Sequence, residues 1–151
     1  MAHGVPAVMT MDDRDSLDRF VNAQKRDFPT ALEEIEDGMK VSHWMWYIFP
    51  QLRGLGLSFN SDFYGIDGMD EARRYLDDVY LRENLLTITK ALLKHVGKDI
   101  EDIMGRIDAV KLRSCMTLFH HVSDERVFTD VLEAFYDGRE DPETLRLLGI
   151  E

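Results

Sequence analysis

The chain has 151 residues, 44% of them hydrophobic and 31% charged, and a formal net charge of -11. That length suits one ordinary domain, able to bury about two-thirds of the surface its unfolded form exposes, and the mix excludes a disordered or fibrous protein. The negative field repels phosphate backbones and anionic lipid, so neither nucleic acid nor a membrane surface is an expected partner. The longest apolar run, Trp44 to Phe49, is far too short to span a bilayer. Met1 to Met11 shows neither the basic nor the long apolar region of a secretory signal. A single cysteine, Cys115, excludes an internal disulfide framework and fits a reducing compartment. The expectation is a cytoplasmic protein, monomeric by default.

In chain order, residues 1–11 carry no periodic pattern and read as a disordered or loosely attached tail, leaving 12–151 as a single all-α domain. Leu17, Phe20, Val21, Gln24 and Phe28 form a helical stripe. Pro29 suits the first turn of a second, short helix that Gly38 closes. Helical spacing returns at Ala72, Tyr75, Leu76 and Val79, then at Leu81, Leu85, Ile88 and Leu92. It recurs over Ile107 to Val122 and in Val127, Phe128, Val131, Leu132 and Phe135. Asp141 followed by Pro142 starts a last short helix. Period-2 alternation is missing. The pattern predicts a compact helical bundle of about six to eight helices with one long irregular loop, residues 52–67.

The segment from Trp44 to Phe49, set on a helical wheel, is apolar nearly all round. This predicts a helix through the domain centre that Pro50 ends. Its surroundings are less easily read as core. From Gly38 to Ser61 there is no Asp or Glu, where the overall acid content would place about four or five. Lys40, His43 and Arg53 therefore sit in a locally positive window able to attract a small anion. Gly54 and Gly56 would allow close backbone approach, although Arg-Gly-Leu-Gly lacks the spacing of a phosphate-binding loop.

A second polar anomaly lies in the Ile107–Val122 helix. There Lys111 falls inside an apolar arc set by Ile107, Leu112, Cys115, Leu118, Phe119 and Val122, with Asp108 one turn before it and Ser114 one turn after. A lysine facing a core needs a partner, and Asp108 at i, i+3 can supply it. Gln24 is likewise central in an apolar stripe. These groups form either a structural network or a pocket shared with the His43 segment. Adjacent His120 and His121 project about 100° apart and make a poor metal pair, with His120 exposed, so no metal is expected. The Glu33-Glu34-Ile35-Glu36-Asp37 run reads as a solvated helix face. Cys115 reads as an inert buried thiol. Ser42 beside His43 is not a nucleophile and base by adjacency alone.

Several stretches resemble an uncharacterised bacterial family, the domain of unknown function numbered eighteen-ten. They are Phe20 with Ala23-Gln24, Ala31 to Ile35 with Gly38 and Lys40, and Ser42-His43-Trp44-Met45-Trp46 through Phe49-Pro50-Gln51-Leu52 to Gly54-Leu55-Gly56. Glu71-Ala72, Tyr75-Leu76, Asp108, Lys111, Ser114, Met116 to Phe119 and Thr144-Leu145 extend the resemblance over nearly the whole chain. Cys115 departs from a serine-rich position. The resemblance implies a compact all-α fold and transfers no reaction, cofactor or catalytic residue.

From the residues alone, the expected activity is binding, with turnover left open, of a small anionic, partly aromatic ligand such as a nucleotide or nucleotide-sugar. Trp46 would stack, with Trp44 left in the core. Lys40 and Arg53 would meet the anion, and Ser42, Gln51 and Gly54 would contact the ligand. Gln24, Lys111 and Ser114 would close the pocket. His43 is the one candidate acid–base group, because imidazole titrates near neutrality. The alternative is a non-enzymatic interaction module, with the aromatic helix buried and the Gln51–Ser61 loop presented to a protein partner. No cofactor is indicated.

Overall fold

The structure, a computed structural model, describes residues 16–150; the tail expected over residues 1–11 lies outside them. Nine α-helices and one 3-10 turn are found among the described residues. They are α1 (Asp18–Asp37), α2 (Met45–Ile48), α3 (Phe59–Phe63), α4 (Met69–Asp77), α5 (Val79–Leu92), α6 (Ile100–Met104), α7 (Arg106–His120), α8 (Val127–Tyr136) and α9 (Pro142–Leu148). The all-α expectation holds. The count exceeds the expected range because α2, α3 and α6 are helices of four or five residues, too short to show a full period in sequence.

Helix α1 corrects the reading at Pro29. The chain does not break there: one helix of 20 residues carries Pro29 in its interior. Proline removes one intrahelical hydrogen bond, but Pro29 lies on the exposed side, where water can satisfy the freed carbonyl. The helix ends at Gly38, whose φ of 81° suits glycine and whose N–H closes back on Glu34 and Ile35. The expected irregular loop is also shorter than the sequence indicates, because α3 interrupts it. Ser58 caps α3 by accepting from the Ser61 N–H. A single parallel bridge, Leu52 to Ile66, closes the segment's base. Gly65 is required there, since a Cβ would come within 2.6 Å of the Arg53 Cα.

Helix α1 packs on α5 and α2, while α7 packs on α8, α6, α9 and α4. The two groups are joined by a chain of buried rings. Phe20 of α1 meets Tyr75 of α4 edge-on with centroids 5.2 Å apart; Tyr75 meets Phe119 of α7 at 5.2 Å; and Phe119 meets Phe128 of α8 at 5.9 Å. Gln24, the amide in the apolar stripe of α1, belongs to this interior. Its Nε2 donates to the Tyr47 carbonyl and the Tyr75 hydroxyl, both at 2.8 Å, and its Oε1 accepts from Asn84 at 3.0 Å. No helix among the described residues is long and apolar enough to cross a membrane.

One ion pair fastens the start of α1 to the loop and to α4. The Arg19 guanidinium binds Glu71 through both oxygens at 3.0 and 3.1 Å, and also donates to the carbonyls of Ser16, Phe63 and Gly65. Both side chains are almost fully buried, and Glu71 also accepts the Asp67 N–H at 2.8 Å. Such a pair is strongly destabilising to break from one side, because the remaining charge is stranded. Glu71→Ala is expected to cost about 3–5 kcal/mol in urea unfolding. A cost below 1 kcal/mol would show that the pair is solvated.

Candidate functional site

The sequence places Lys40, Ser42 and His43 just beyond α1, and one carboxylate of α1 decides their geometry. Glu34 Oε1 accepts the backbone N–H groups of Val41 (2.8 Å) and Ser42 (2.9 Å) and the Trp44 indole Nε1–H (2.9 Å), while Oε2 accepts the Ser42 hydroxyl at 2.6 Å. Glu34 is thus the exception to the solvated acidic face expected over 33–37. Burial pushes its pKa upward, but the hydrogen bonds from Ser42, Val41 and Trp44 outweigh that effect and bring it down to about 2. Held this way, the chain turns into α2. The helix spans only Met45–Ile48, so the expected Trp44–Phe49 helix shrinks to a single turn with Trp44 and Phe49 as its caps. Trp44 is 1% exposed, with the Lys40 ammonium 4.6 Å from its ring centroid. Trp46 is only half-buried.

Trp46 forms part of a cleft of about 520 Å³ between the Lys40–Trp46 segment and the start of α7, whose walls include Lys40, His43, Arg106, Ile107, Asp108 and Lys111. A second cleft of about 360 Å³ shares Lys111 and Ile107 and is lined also by Gln51, Leu55, Val110, Ser114 and two carboxylates, Asp141 and Glu143. Lys111 does not point into the core. Its ammonium lies 4.9 Å from the Trp46 ring centroid and 3.6 Å from Asp108 Oδ1. Lys40 binds the other oxygen of Asp108 at 2.8 Å and donates to the Ser42 carbonyl at 2.6 Å. Asp108 therefore bridges two lysines, one almost fully buried and one 23% exposed. Between the clefts, the Trp46 Nε1–H is buried and finds no acceptor among the described residues. A small niche beside it is lined by Gln51, Asn60, Ser61 and Tyr64. A buried donor left unmet costs about 1–3 kcal/mol, and such groups in a folded protein call for an explanation.

Of the residues expected to share a site, Lys40, His43 and Trp46 line the first cleft, Gln51 and Ser114 the second, and Lys111 both. Ser114 is nearly buried, and its hydroxyl donates back to the Val110 carbonyl at 3.3 Å. Ser42 lines neither cleft; its hydroxyl is consumed by Glu34. Gln24 is satisfied inside the core. Arg53 and Gly54 also lie outside both clefts. Arg53 donates to the Asp62 carbonyl and pairs with Asp67 at 3.0 Å, because the 52–66 bridge folds those acids back onto it. Gly54 has only Leu147 near the place of a Cβ. Arg106, Met45 and Ile107 also line the first cleft, and nothing in the sequence marks them for it. Ile107, expected in the buried arc, is 69% exposed on the cleft rim. No periodic signal distinguishes these three. Asp108, by contrast, was legible through its spacing to Lys111.

Two further groups are settled by burial. The Cys115 thiol is fully buried, which pushes its pKa well up and leaves it unreactive. Tyr47 is raised to about 12 by burial and by Asp27, to which its hydroxyl donates, with Arg26 opposing.

This is a compact all-helical fold with a cationic, tryptophan-walled cleft between the α2 segment and α7. The comparisons agree on its kinship. The family described as protein of unknown function (DUF1810) matches residues 14–148, and the chain belongs to it. A solved structure of the conserved hypothetical protein Rv1873 from Mycobacterium tuberculosis is similar at 41% identity, with a TM-score of 0.88 over 92% of this chain and 100% of that one. No curated protein matches the chain.

The Glu34 anchor has a pH signature. A folded-state pKa below the ordinary carboxylate value near 4.5 means that its stabilisation is fully present above pH 4.5 and is lost as the pH falls toward 2. Glu34→Gln should cost about 2 kcal/mol at pH 7, within the range for hydrogen bonds to a charged group. It should also flatten the acid limb of the stability–pH curve. An unchanged acid limb would mean that Glu34 carries no folded-state shift.

Proposed function

We propose that the Trp46 cleft binds a small anionic ligand with a planar or apolar portion, of the nucleotide or nucleotide-sugar class. The observation that carries this reading is the charge arrangement around Trp46. Lys40, Arg106 and Lys111 line one cleft with a single carboxylate, Asp108, on a protein of net charge -11. An acidic protein holds an anion only where carboxylates are locally outnumbered. Lys111 belongs to both clefts, so an elongated ligand can set its anion against Lys111 and Arg106. Its remaining part can then lie along Ile107, Leu55 and Val110. His43 is exposed at the mouth of the first cleft and is the group placed for proton transfer, should the bound molecule be turned over. Asp108 competes with the ligand for the lysines, so a ligand must displace or share it. We take the protein to act as a cytoplasmic monomer built as one domain.

A second reading rests on a separate observation. Leu57 and Phe59, in the Gln51–Ser61 loop, are 104% and 69% exposed, and an apolar surface of this kind can serve a protein partner.

Thermal unfolding with ATP, UDP-glucose and inorganic phosphate separates the two. A ligand at 100-fold its Kd stabilises by about 2.7 kcal/mol, so a nucleotide should raise Tm more than phosphate does. Arg106 is exposed, so Arg106→Ala should leave the ligand-free Tm nearly unchanged while removing most of the ligand-induced shift. Asp108→Asn should lower the ligand-free stability and increase the shift. If none of these ligands raises Tm and calorimetry detects no binding, the small-molecule reading fails.

A further inference from the structure

At the other end of α7, about 20 Å along the helix from the cleft at 1.5 Å per residue, two imidazoles and a carboxylate converge. His120 is the last residue of α7 and His121 its C-cap. Their rings lie 4.7 Å apart, tilted by 54°. Glu140, in the turn between α8 and α9, reaches them from another part of the chain: its Oε1 lies 2.5 Å from His121 Nε2 and 4.0 Å from His120 Nε2. Each residue offers one donor atom, and all three donors lie within 4.8 Å of one another. Adjacency in sequence does not keep the histidines apart, as the wheel suggested, because His121 already ends the helix.

We propose that His120, His121 and Glu140 form a binding site for a divalent transition-metal ion of the Zn2+ type. Four observations support it. First, the donor set is two imidazole nitrogens and one carboxylate oxygen, which suits Zn2+ and its neighbours rather than Mg2+ or Ca2+. Second, the spacing is near what ligation needs. Donors about 2.0–2.1 Å from a tetrahedral ion stand roughly 3.4 Å apart, between the two separations to Glu140 seen here. Third, the carboxylate is carried on a fixed backbone: Arg113 of α7 donates to the carbonyls of Arg139 (2.8 Å) and Glu140 (2.7 Å), and the Asp141 N–H donates to Thr117 at 2.9 Å. Arg113 thus holds the main chain and leaves the carboxylate to the imidazoles. Fourth, all three side chains are partly exposed, between 22% and 36%. An ion can therefore enter and keep an open coordination position. The C-terminal end of a 15-residue helix adds a favourable dipole for a cation.

The proton balance is explicit. Binding places the ion where the His121 Nε2–H meets Glu140, so His121 must shift to the Nδ1–H tautomer, or, if it starts as imidazolium, release one proton to solvent.

The test is calorimetric titration of the full chain with Zn2+, with Co2+ as a spectroscopic probe. One Zn2+ should bind per chain and raise Tm, and Co2+ should give the visible bands of a low-coordinate site. His120 makes no hydrogen bond to the cluster, only the 4.0 Å approach, so a structural role alone predicts that His120→Ala changes nothing. Ligation predicts at least a tenfold loss of Zn2+ affinity in His120→Ala and in Glu140→Gln, with a metal-free Tm in His120→Ala close to that of the parent. Absence of binding to the parent chain, a stoichiometry of one ion per two chains, or parent-like affinity in both variants would each overturn the site. Nucleotide binding in the Trp46 cleft is measured separately, so either proposal can fail alone.

Discussion

The candidate site depends on the carboxylate of Glu34. A segment that leaves a helix through a left-handed glycine and must reverse direction within a few residues has several backbone N–H groups without helical partners. Glu34 meets two of them, with the Ser42 hydroxyl and the Trp44 indole added. One side chain on the last turns of α1 therefore fixes the path from Val41 to Trp44, and everything placed by that path follows: the Lys40 ammonium near Trp44, His43 at the cleft mouth, and the single turn of α2 that aims Trp46 toward α7. Because the acceptor is a charged carboxylate, the arrangement is stronger than one closed by neutral groups.

Electrostatic compensation explains why the acid-free window does not become a bare cationic patch. Acids are missing from its sequence, yet the fold returns them from three directions. Glu34 comes from α1, Asp108 from α7, and Asp62 and Asp67 from just past the window. What distinguishes the cleft is the ratio. Around Arg53 two acids meet one cation, so that corner is neutralised. Around Trp46 one acid meets three permanent cations, and the excess faces solvent. Counting charges along the chain does not separate these two corners, since the separation depends on which acids fold back.

Legibility followed the same division. The helical class, the capping at Gly38 and Asp141, the inert Cys115 and the Asp108–Lys111 pairing were all readable, because each rests on contacts within one helical turn or on periodicity. Pro29 is hard to read from sequence because an interior proline costs a helix both a hydrogen bond and a clash with the preceding turn, and whether the surroundings tolerate that cost, as they do at this exposed position, is a tertiary fact. The Trp44–Phe49 wheel misled because a run apolar on all sides fits a single buried turn as well as a long central helix. Arg19 with Glu71, and Glu140 with His121, were illegible for a plainer reason. Their partners lie 52 and 19 residues apart, and no local pattern links them.

The two tryptophans show how one short segment is divided between the core and the cleft. Trp44 precedes the helical turn with φ -131° and ψ 8°, outside the helical region, and Trp46 lies within the turn. Their rings consequently leave the backbone in different directions. The Trp44 ring enters the core and its N–H is answered by Glu34, so every polar demand it makes is met inside the protein. The Trp46 ring stops at the cleft, packs under the Lys111 ammonium, and keeps a buried N–H that no described residue answers. Had both served only to fill the core, an unanswered indole would be a cost without return, readily relieved by a phenylalanine of similar shape. The asymmetry between a satisfied and an unsatisfied indole two residues apart follows from that placement: the Trp44 N–H lies beside the Glu34 carboxylate, whereas the Trp46 ring stands on the cleft wall with no acceptor among the described residues.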